Sequence, residues 1–373
     1  MGGSASKPGD VALPATMRRI VCKRPAPRVE DAELAIEEVP LPKPKSGEVL
    51  VRVSAAPVNP SDYGTWKRDP VPDTWDPLPV GNEGCGVVVA SGGGIMANKL
   101  VGKNIGFVNL KKQGAYSEFV TVDALRGAFA MPPELPIEDA ASFYVNPYTA
   151  YAIVDTVRMR GGKSFVHTGA ASQVGQMMVK YVKAQFPEMT LLNVVRREEQ
   201  AATLRALGAE HVVVTAGEPS VWRAELKAKM TELKCTIAFD CVAGEMTEIL
   251  VDALPKGTGI AFVYGRLSQE SARVAPLDLI YFGKSVEGFL VAGKGKQCWI
   301  DLDKMVTALS RLRAASKAVT PNLGEGGWAA SKFVDCTLDS MHADFLRMWT
   351  SSGFTDRKLR IRFNAGGGAE PLV

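Results

Sequence analysis

Histidine is scarce in this chain: there are three, at positions 167, 211 and 342, among 373 residues. None stands at metal-ligand spacing to another histidine or to a cysteine, so no metal centre is expected. The six cysteines, at positions 22, 85, 235, 241, 298 and 336, form no C-x-x-C pair and are too sparse for a disulfide scaffold. They read as reduced, mostly buried thiols of an intracellular protein. No apolar run approaches the roughly 18–20 residues of a membrane-spanning helix. The N-terminus lacks the apolar core of a secretory signal. Net charge is only +4 with no long basic block, which argues against a nucleic-acid-binding surface.

What remains is an ordinary globular composition, 46% apolar and 23% charged, on a chain long enough for two domains. The first residues, Met1-Gly2-Gly3-Ser4-Ala5-Ser6, fit an N-myristoylation pattern at Gly2; a flexible small-residue leader and a cloning scar are the competing readings. One acyl chain alone would anchor weakly. Arg18, Arg19, Lys23, Arg24 and Arg28 would suit a mitochondrial presequence, although Asp10 and four prolines before residue 28 do not. The expected location is therefore the mitochondrion or the cytoplasm, with membrane association if Gly2 is acylated.

Residues 1–16 are rich in Gly, Ser and Pro and are expected to be a disordered leader. From Arg19 to about Phe143 short β-runs are punctuated by Gly and Pro, among them GEVLVRVSAAPV, GCGVVVAS, KNIGFVNL and GAYSEFVTV, which predicts a compact β-barrel. After Val145-Asn146-Pro147 the rhythm alternates between strand and helix. Strands are predicted at Ser164–His167, Leu191–Val195, His211–Val214, Thr236–Asp240, Ile260–Tyr264 and Val286–Val291. Between Val174 and Val182 the apolar residues 174, 177, 178, 181 and 182 share one helical face, and the helix through Gln200–Leu207 stops at Gly208. This alternation predicts an α/β class with a doubly wound parallel sheet. The boundaries expected are 17–143 with 292–373 for the β-barrel domain and 144–291 for the parallel-sheet domain.

Between the first predicted strand and its helix lies Gly169-Ala170-Ala171-Ser172-Gln173-Val174-Gly175. A dinucleotide turn needs small residues so that its backbone can approach a pyrophosphate seated on the helix N-terminus. Most of the usual glycines are missing, but Gly175 stands where helix meets sheet, and Ala171 and Ser172 are small. Twenty-one positions beyond Gly175, at the end of the next strand, stands Arg196, followed by Arg197. An NAD site usually carries a carboxylate there for the ribose diol. A guanidinium pairs instead with a phosphate, so the pattern points to NADPH.

These residues resemble the medium-chain dehydrogenase/reductase superfamily from about Arg19 to Phe363, in its zinc-free branch of quinone oxidoreductases and 2-enoyl thioester reductases. The resemblance is carried by Val58-Asn59-Pro60-Ser61-Asp62, Gly81-Asn82-Glu83-Gly84, Val145-Asn146-Pro147-Tyr148-Thr149-Ala150-Tyr151, Asn193-Val194-Val195-Arg196 and Leu207-Gly208-Ala209-Glu210-His211-Val212. It implies a GroES-like barrel, a Rossmann domain and a cleft where NADPH and substrate meet. Zinc-using relatives carry Cys near 59 and His near 82; both are Asn here. By resemblance Asn146 and Thr149 would serve the nicotinamide, Ser172, Gln173 and Val174 the phosphates, and Arg196 and Arg197 the 2′-phosphate. Tyr264, Gly265, Phe289 to Val291 and Lys358 would close the cofactor cleft, while Asn59 and Tyr63 would lie at the substrate end in catalytic roles. A homodimer paired through the edge strand near Val286–Val291 is implied as well.

One position departs from the branch. Its enoyl thioester reductases use a tyrosine in the loop before Gly81, and that position falls near Pro70 here, which leaves the displaced Tyr63 as either a substitute or a packing aromatic. The expected activity is NADPH-dependent hydride transfer to a 2-enoyl thioester or enone, with a quinone as the alternative acceptor. A non-catalytic NADPH-binding subunit of a larger assembly is the alternative of a different kind.

Overall fold

The protein structure, a computed structural model, describes residues 13–109, 114–350 and 356–363. The acylation motif at Gly2 lies outside the described residues. The chain forms two units: the described residues up to Val145 with Leu323–Glu325 and those from Ser331 onward, and Asn146–Asn322 with Gly326–Ala330.

In the first unit the apolar runs become strands because each alternates a face toward one core. Glu48–Pro57 is the central strand. It pairs antiparallel with Glu83–Ser91, Phe119–Asp123 and Lys358–Arg362, and the sheet continues through Asn104–Val108 and Ala128–Ala130. A smaller sheet joins Glu33–Pro40, Thr16–Arg24 and Leu78–Pro79. Ile20 and Cys22 of the smaller sheet and Val51, Val53 and Phe107 of the larger share one buried cluster around Trp66 and Tyr116. Thr16 already begins a strand, so the leader expected to reach residue 16 gives way to ordered sheet there. Arg18, Arg19, Lys23 and Arg24 belong to that strand. Arg19 pairs with Glu37 at 2.6 Å, and the Arg18 peptide N–H donates to Glu118 at 2.8 Å.

The second unit is a six-stranded parallel sheet in the order His211–Val214, Thr190–Val195, Ser164–Thr168, Ile237–Asp240, Ile260–Val263 and Ser285–Gly288. The chain enters at Ser164–Thr168, winds outward to one edge and crosses back to wind toward the other. The carboxyl ends of Ser164–Thr168 and Ile237–Asp240 therefore lie at the topological switch, where ligands of such sheets bind. One face buries Val166, Leu192, Val194, Val213, Ala238 and Ala261 against Trp222, Leu226 and Leu250 of the covering helices.

Two expectations need correction. The strand expected over Val286–Val291 is two: Ser285–Gly288 completes the parallel sheet, whereas Leu290–Gly293 pairs with Cys298–Asp301. Between them Phe289 turns inward, its ring 5.2 Å from Phe239 and 6.1 Å from Phe262, and this breaks the strand. Residues 292–322, expected with the barrel, lie in the second unit. They dock on the helix Val145–Met159: the Trp299 indole donates to Asp155 at 2.9 Å and packs edge-on to Tyr151. Among the described residues no helix is long and apolar enough to cross a membrane.

A candidate dinucleotide turn and a buried ammonium network

The turn after Ser164–Thr168 works with fewer glycines than usual because two are placed where only glycine fits. Gly169 has φ +60°, and a Cβ there would meet Cys241 Sγ at 2.5 Å. A Cβ on Gly175 would lie 2.0 Å from the Ala170 carbonyl oxygen, so the helix Gln173–Gln185 seats on the turn only with glycine. Ser172 caps that helix, its Oγ accepting the Gly175 N–H at 3.3 Å; the hydroxyl proton is left to donate elsewhere. Gln173 and Val174 form the helix's first turn.

Beneath the turn lies a carboxylate that no motif announced. Asp240 is wholly buried and accepts from Thr168 Oγ1 (2.7 Å), Thr247 Oγ1 (2.7 Å) and the N–H groups of Val242 (2.9 Å) and Ala243 (3.2 Å). Thr168 Oγ1 in turn accepts the Cys241 N–H at 3.0 Å. Four donors satisfy the carboxylate, hold Ala243 at φ +64° and fix the residue preceding Gly169.

Where Thr190–Val195 ends, Arg196 is exposed, and its guanidinium has no partner among the described residues. Arg197 is half-buried and pairs with Glu199 at 3.3 Å. The peptide N–H groups of both arginines donate to Gln200 Oε1, at 3.0 and 3.2 Å, so Gln200 sets the backbone from which the guanidinium of Arg196 projects. Among the described residues no carboxylate bonds Arg196, as a 2′-phosphate site requires.

The remaining cofactor candidates are less uniform. Tyr264 follows Ile260–Val263, hydrogen-bonds His167 Nε2 and stacks on its ring. His167 is a core residue whose burial pushes its pKa down to about 3, and its Nδ1 has no partner among the described residues. Gly265 is pressed against Cys241, where a Cβ would lie 2.8 Å from the carbonyl oxygen. Asn146 and Thr149 are buried in the first turns of Val145–Met159, and Val291 is half-buried in Leu290–Gly293. Phe289, expected along the cofactor, is buried and packs edge-on against Phe239.

In the first unit Asn59 and Lys358, assigned to different tasks by resemblance, are in contact. Lys358 Nζ donates to Asn59 Oδ1 and, at 3.2 Å, to Ser142 Oγ. Asn59 Nδ2 donates to Glu83 Oε1 at 2.9 Å, and Glu83 Oε2 accepts the N–H groups of Tyr144 (2.8 Å) and Val145 (3.0 Å). A second carboxylate, Asp62, takes the Asn59 N–H (2.7 Å), the Tyr116 hydroxyl (2.7 Å) and Asn82 Nδ2 (2.6 Å). Burial pushes Asp62 up to about 7 and raises Glu83. Burial also lowers Lys358 to about 8, against the pull of Glu83 and Asp62. Glu83 and Asp62 stand in motifs legible from the sequence; their electrostatic coupling to Lys358, which bonds Asn59 and Ser142 between them, was not.

Asn59 is wholly buried with both ends of its amide engaged, so a direct donor role toward substrate would require breaking one of these bonds. Tyr63 stands in an aromatic cluster, its ring 5.2 Å from Phe345 and 5.3 Å from Trp349. Burial raises the phenol pKa well above its usual value. Among the described residues no group of three or more His, Cys, Asp or Glu is arranged to hold a metal ion.

Residues 45–133 match the alcohol dehydrogenase GroES-like domain and residues 174–309 the zinc-binding dehydrogenase domain. Mitochondrial enoyl-[acyl-carrier-protein] reductase of Xenopus tropicalis is 30% identical over 307 residues, covering 77% of this chain and 83% of that protein. Its Homo sapiens counterpart is 28% identical over 303 residues (77% and 76%), and prostaglandin reductase-3 of Mus musculus 28% over 291 residues (75% and 74%). Among solved structures, a Mesorhizobium loti protein assigned to the NADPH:quinone reductases superposes with a TM-score of 0.80 at 26% identity, covering 94% of this chain and all of that one. The Etr1p/NADP/crotonyl-CoA complex shares the fold, with a TM-score of 0.70 at 18% identity over 93% of this chain and 100% of the other. The GroES-like domain, the doubly wound sheet and these relatives agree, and asparagine fills positions 59 and 82: the chain belongs to the zinc-free branch of the medium-chain dehydrogenase/reductase superfamily.

Proposed function

We propose that the protein is an NADPH-dependent reductase of activated α,β-unsaturated carbonyl compounds, most specifically of 2-enoyl thioesters or enones. The observation that carries the cofactor is Arg196, whose guanidinium is unpaired among the described residues, at the end of the second strand of a doubly wound sheet, where a diol-binding carboxylate would otherwise stand. The residues present fit NADPH. Gly169 and Gly175 bring backbone and helix close at the turn, Ser172 keeps a hydroxyl proton for a phosphate oxygen, and Arg196 matches a 2′-phosphate with Arg197 beside it. When bound, NADPH supplies the hydride for the β-carbon of the acceptor. The chain's part is to bind and orient both partners and to hold a fixed polar environment around the carbonyl oxygen.

The substrate class follows the enoyl-[acyl-carrier-protein] and prostaglandin reductases among the relatives. Similarity to the Mesorhizobium loti structure favours a quinone as the second reading. NADPH oxidation measured against 2-enoyl thioesters, enones and quinones separates them. Turnover with enoyl thioesters or enones supports the first reading, and turnover with quinones alone replaces it by the second. NADPH binding without turnover leaves a cofactor-binding subunit, and a chain that binds no NADPH defeats all three.

A homodimer is proposed at the edge strand Ser285–Gly288, which has no outer neighbour in the described sheet and lies close in sequence to the exposed Ile280, Tyr281 and Leu290. Sedimentation velocity should report a dimer, and Val286→Pro should shift it to monomer; a monomeric wild type refutes the pairing. A mitochondrial address is proposed by analogy with the vertebrate relatives. Fractionation of the full chain and of Gly2→Ala tests it against an acyl anchor, since only an acyl-anchored protein leaves the membrane fraction in the variant.

A further inference from the structure

Resemblance gives Lys358 to the cofactor, but the geometry gives it another task. Its ammonium is inside the first unit, with only 7% of the residue exposed, and two of its three protons go to Asn59 Oδ1 and Ser142 Oγ. An asparagine amide can be turned either way round at almost no cost unless its neighbours differ. Here they differ maximally: a cation faces Oδ1 and the Glu83 carboxylate faces Nδ2. Flipping the amide would set acceptor against acceptor and donor against donor, so Lys358 and Glu83 together lock Asn59 in one orientation. Glu83 spends its other oxygen on the N–H groups of Tyr144 and Val145, which open the helix Val145–Met159. One hydrogen-bonded chain thus runs from the Lys358 ammonium to the first turn of the helix bearing Asn146 and Thr149.

We propose that Lys358 is a positioning residue for hydride transfer, holding Asn59 and, through Glu83, the start of the helix that carries Asn146 and Thr149, and that it is not a ligand of the cofactor phosphates. The inference rests on the reductase reading above. The ionisable groups set around Lys358 are Glu83 and Asp62, with Tyr116 bonded to the latter; Asn59, Asn82 and Ser142 are neutral. Removing the ammonium leaves two buried carboxylates without a compensating cation and frees the Asn59 amide to turn. Loss of its proton at alkaline pH has the same consequence for the amide: the folded pKa of Lys358 is depressed, to about 8, so the hold on Asn59 is present below that pH and is lost above it.

The test is Lys358→Met and Lys358→Arg, assayed by steady-state kinetics across pH and by direct NADPH titration. Lys358→Met should lower kcat about 10- to 100-fold, the cost of small misplacements in a reacting geometry, while NADPH Kd stays within about 2-fold. Wild-type kcat should fall on an alkaline limb near pH 8. Lys358→Met should lack that limb, and Lys358→Arg, whose guanidinium keeps its proton, should recover part of the rate and move the limb to higher pH. If Lys358→Met does not fold, Lys358→Met/Glu83→Gln removes the uncompensated charge along with the ammonium and should show the same slow kcat at unchanged NADPH affinity. NADPH Kd raised more than about 10-fold at unchanged kcat would make Lys358 a phosphate ligand and overturn the proposal, as would wild-type kinetics in a folded variant. A wild-type chain that oxidises NADPH with none of the acceptors overturns the reductase reading and this inference with it; an active wild type matched by its variants overturns this inference alone.

Discussion

Gly175→Ala should abolish tight dinucleotide binding and lower the stability of the second unit. The added Cβ would lie 2.0 Å from the Ala170 carbonyl oxygen, 2.5 Å from its carbonyl carbon and 2.7 Å from its Cα. These are backbone atoms of the turn itself, not the ends of flexible side chains, so relief requires the helix Gln173–Gln185 to move away from the strand. Such overpacking costs about 3 kcal/mol, which corresponds to a fall in Tm of roughly 6–12 °C for a unit of this size. Moving the helix also breaks the Ser172–Gly175 cap and displaces the backbone that would approach the phosphates. Gly64→Ala is the control: nothing lies within 4 Å of a Cβ at Gly64, and its effect should stay within about 0.5 kcal/mol. Calorimetry and NADPH titration read both variants. A Gly175→Ala chain with wild-type Tm and affinity would show that the turn tolerates a side chain and that its close helix–strand contact is not required.

The glycine pattern of that turn looked damaged in the sequence because a motif counts glycines, whereas the fold needs them only where a Cβ collides. Gly169 and Gly175 are such places; at Ala170 and Ala171 small buried side chains suffice. The central parallel strands were legible for a physical reason: strands buried on both faces read as unbroken apolar runs, and Ile237–Asp240, buried throughout, emerges within one residue of its expected bounds. The strand near Val286 was not, because what ends it is Phe289 turning toward Phe239 and Phe262, partners distant in sequence. Residues 292–322 were expected with the barrel for a similar reason, since the Trp299–Asp155 and Trp299–Tyr151 contacts that hold them to the second unit join residues distant in sequence. At the site, residue types were readable and their pairings were not. Asn59 and Lys358 were each singled out, yet they lie 299 residues apart and their hydrogen bond exists only through tertiary folding. Asp240 was missed altogether: a single acid closing an apolar run reads as a strand end, and nothing local records the four donors that converge on it.

Arg196→Ala should remove the preference for NADPH over NADH, chiefly by weakening NADPH. A charge-assisted bond to a phosphate contributes about 1.5–3 kcal/mol, so NADPH affinity should fall about 10- to 150-fold, while NADH, which offers a diol at that position, should change by no more than about 2-fold. Arg197→Ala should cost less, because its guanidinium already pairs with Glu199 at 3.3 Å and phosphate binding competes with that bond. Arg196→Lys should recover part of the loss, since an ammonium supplies charge without the planar fork. Because Arg196 is exposed, salt screens the interaction. Raising ionic strength from about 0.05 to 0.5 M should therefore narrow the NADPH/NADH ratio of the wild type and leave that of Arg196→Ala nearly flat. Titrating both cofactors into the wild type and the three variants at two salt concentrations checks every arm. Equal losses for NADPH and NADH in Arg196→Ala would mean that the arginine supports the strand end and not a phosphate. A wild type without preference would leave the carboxylate-free end of Thr190–Val195 without its proposed purpose.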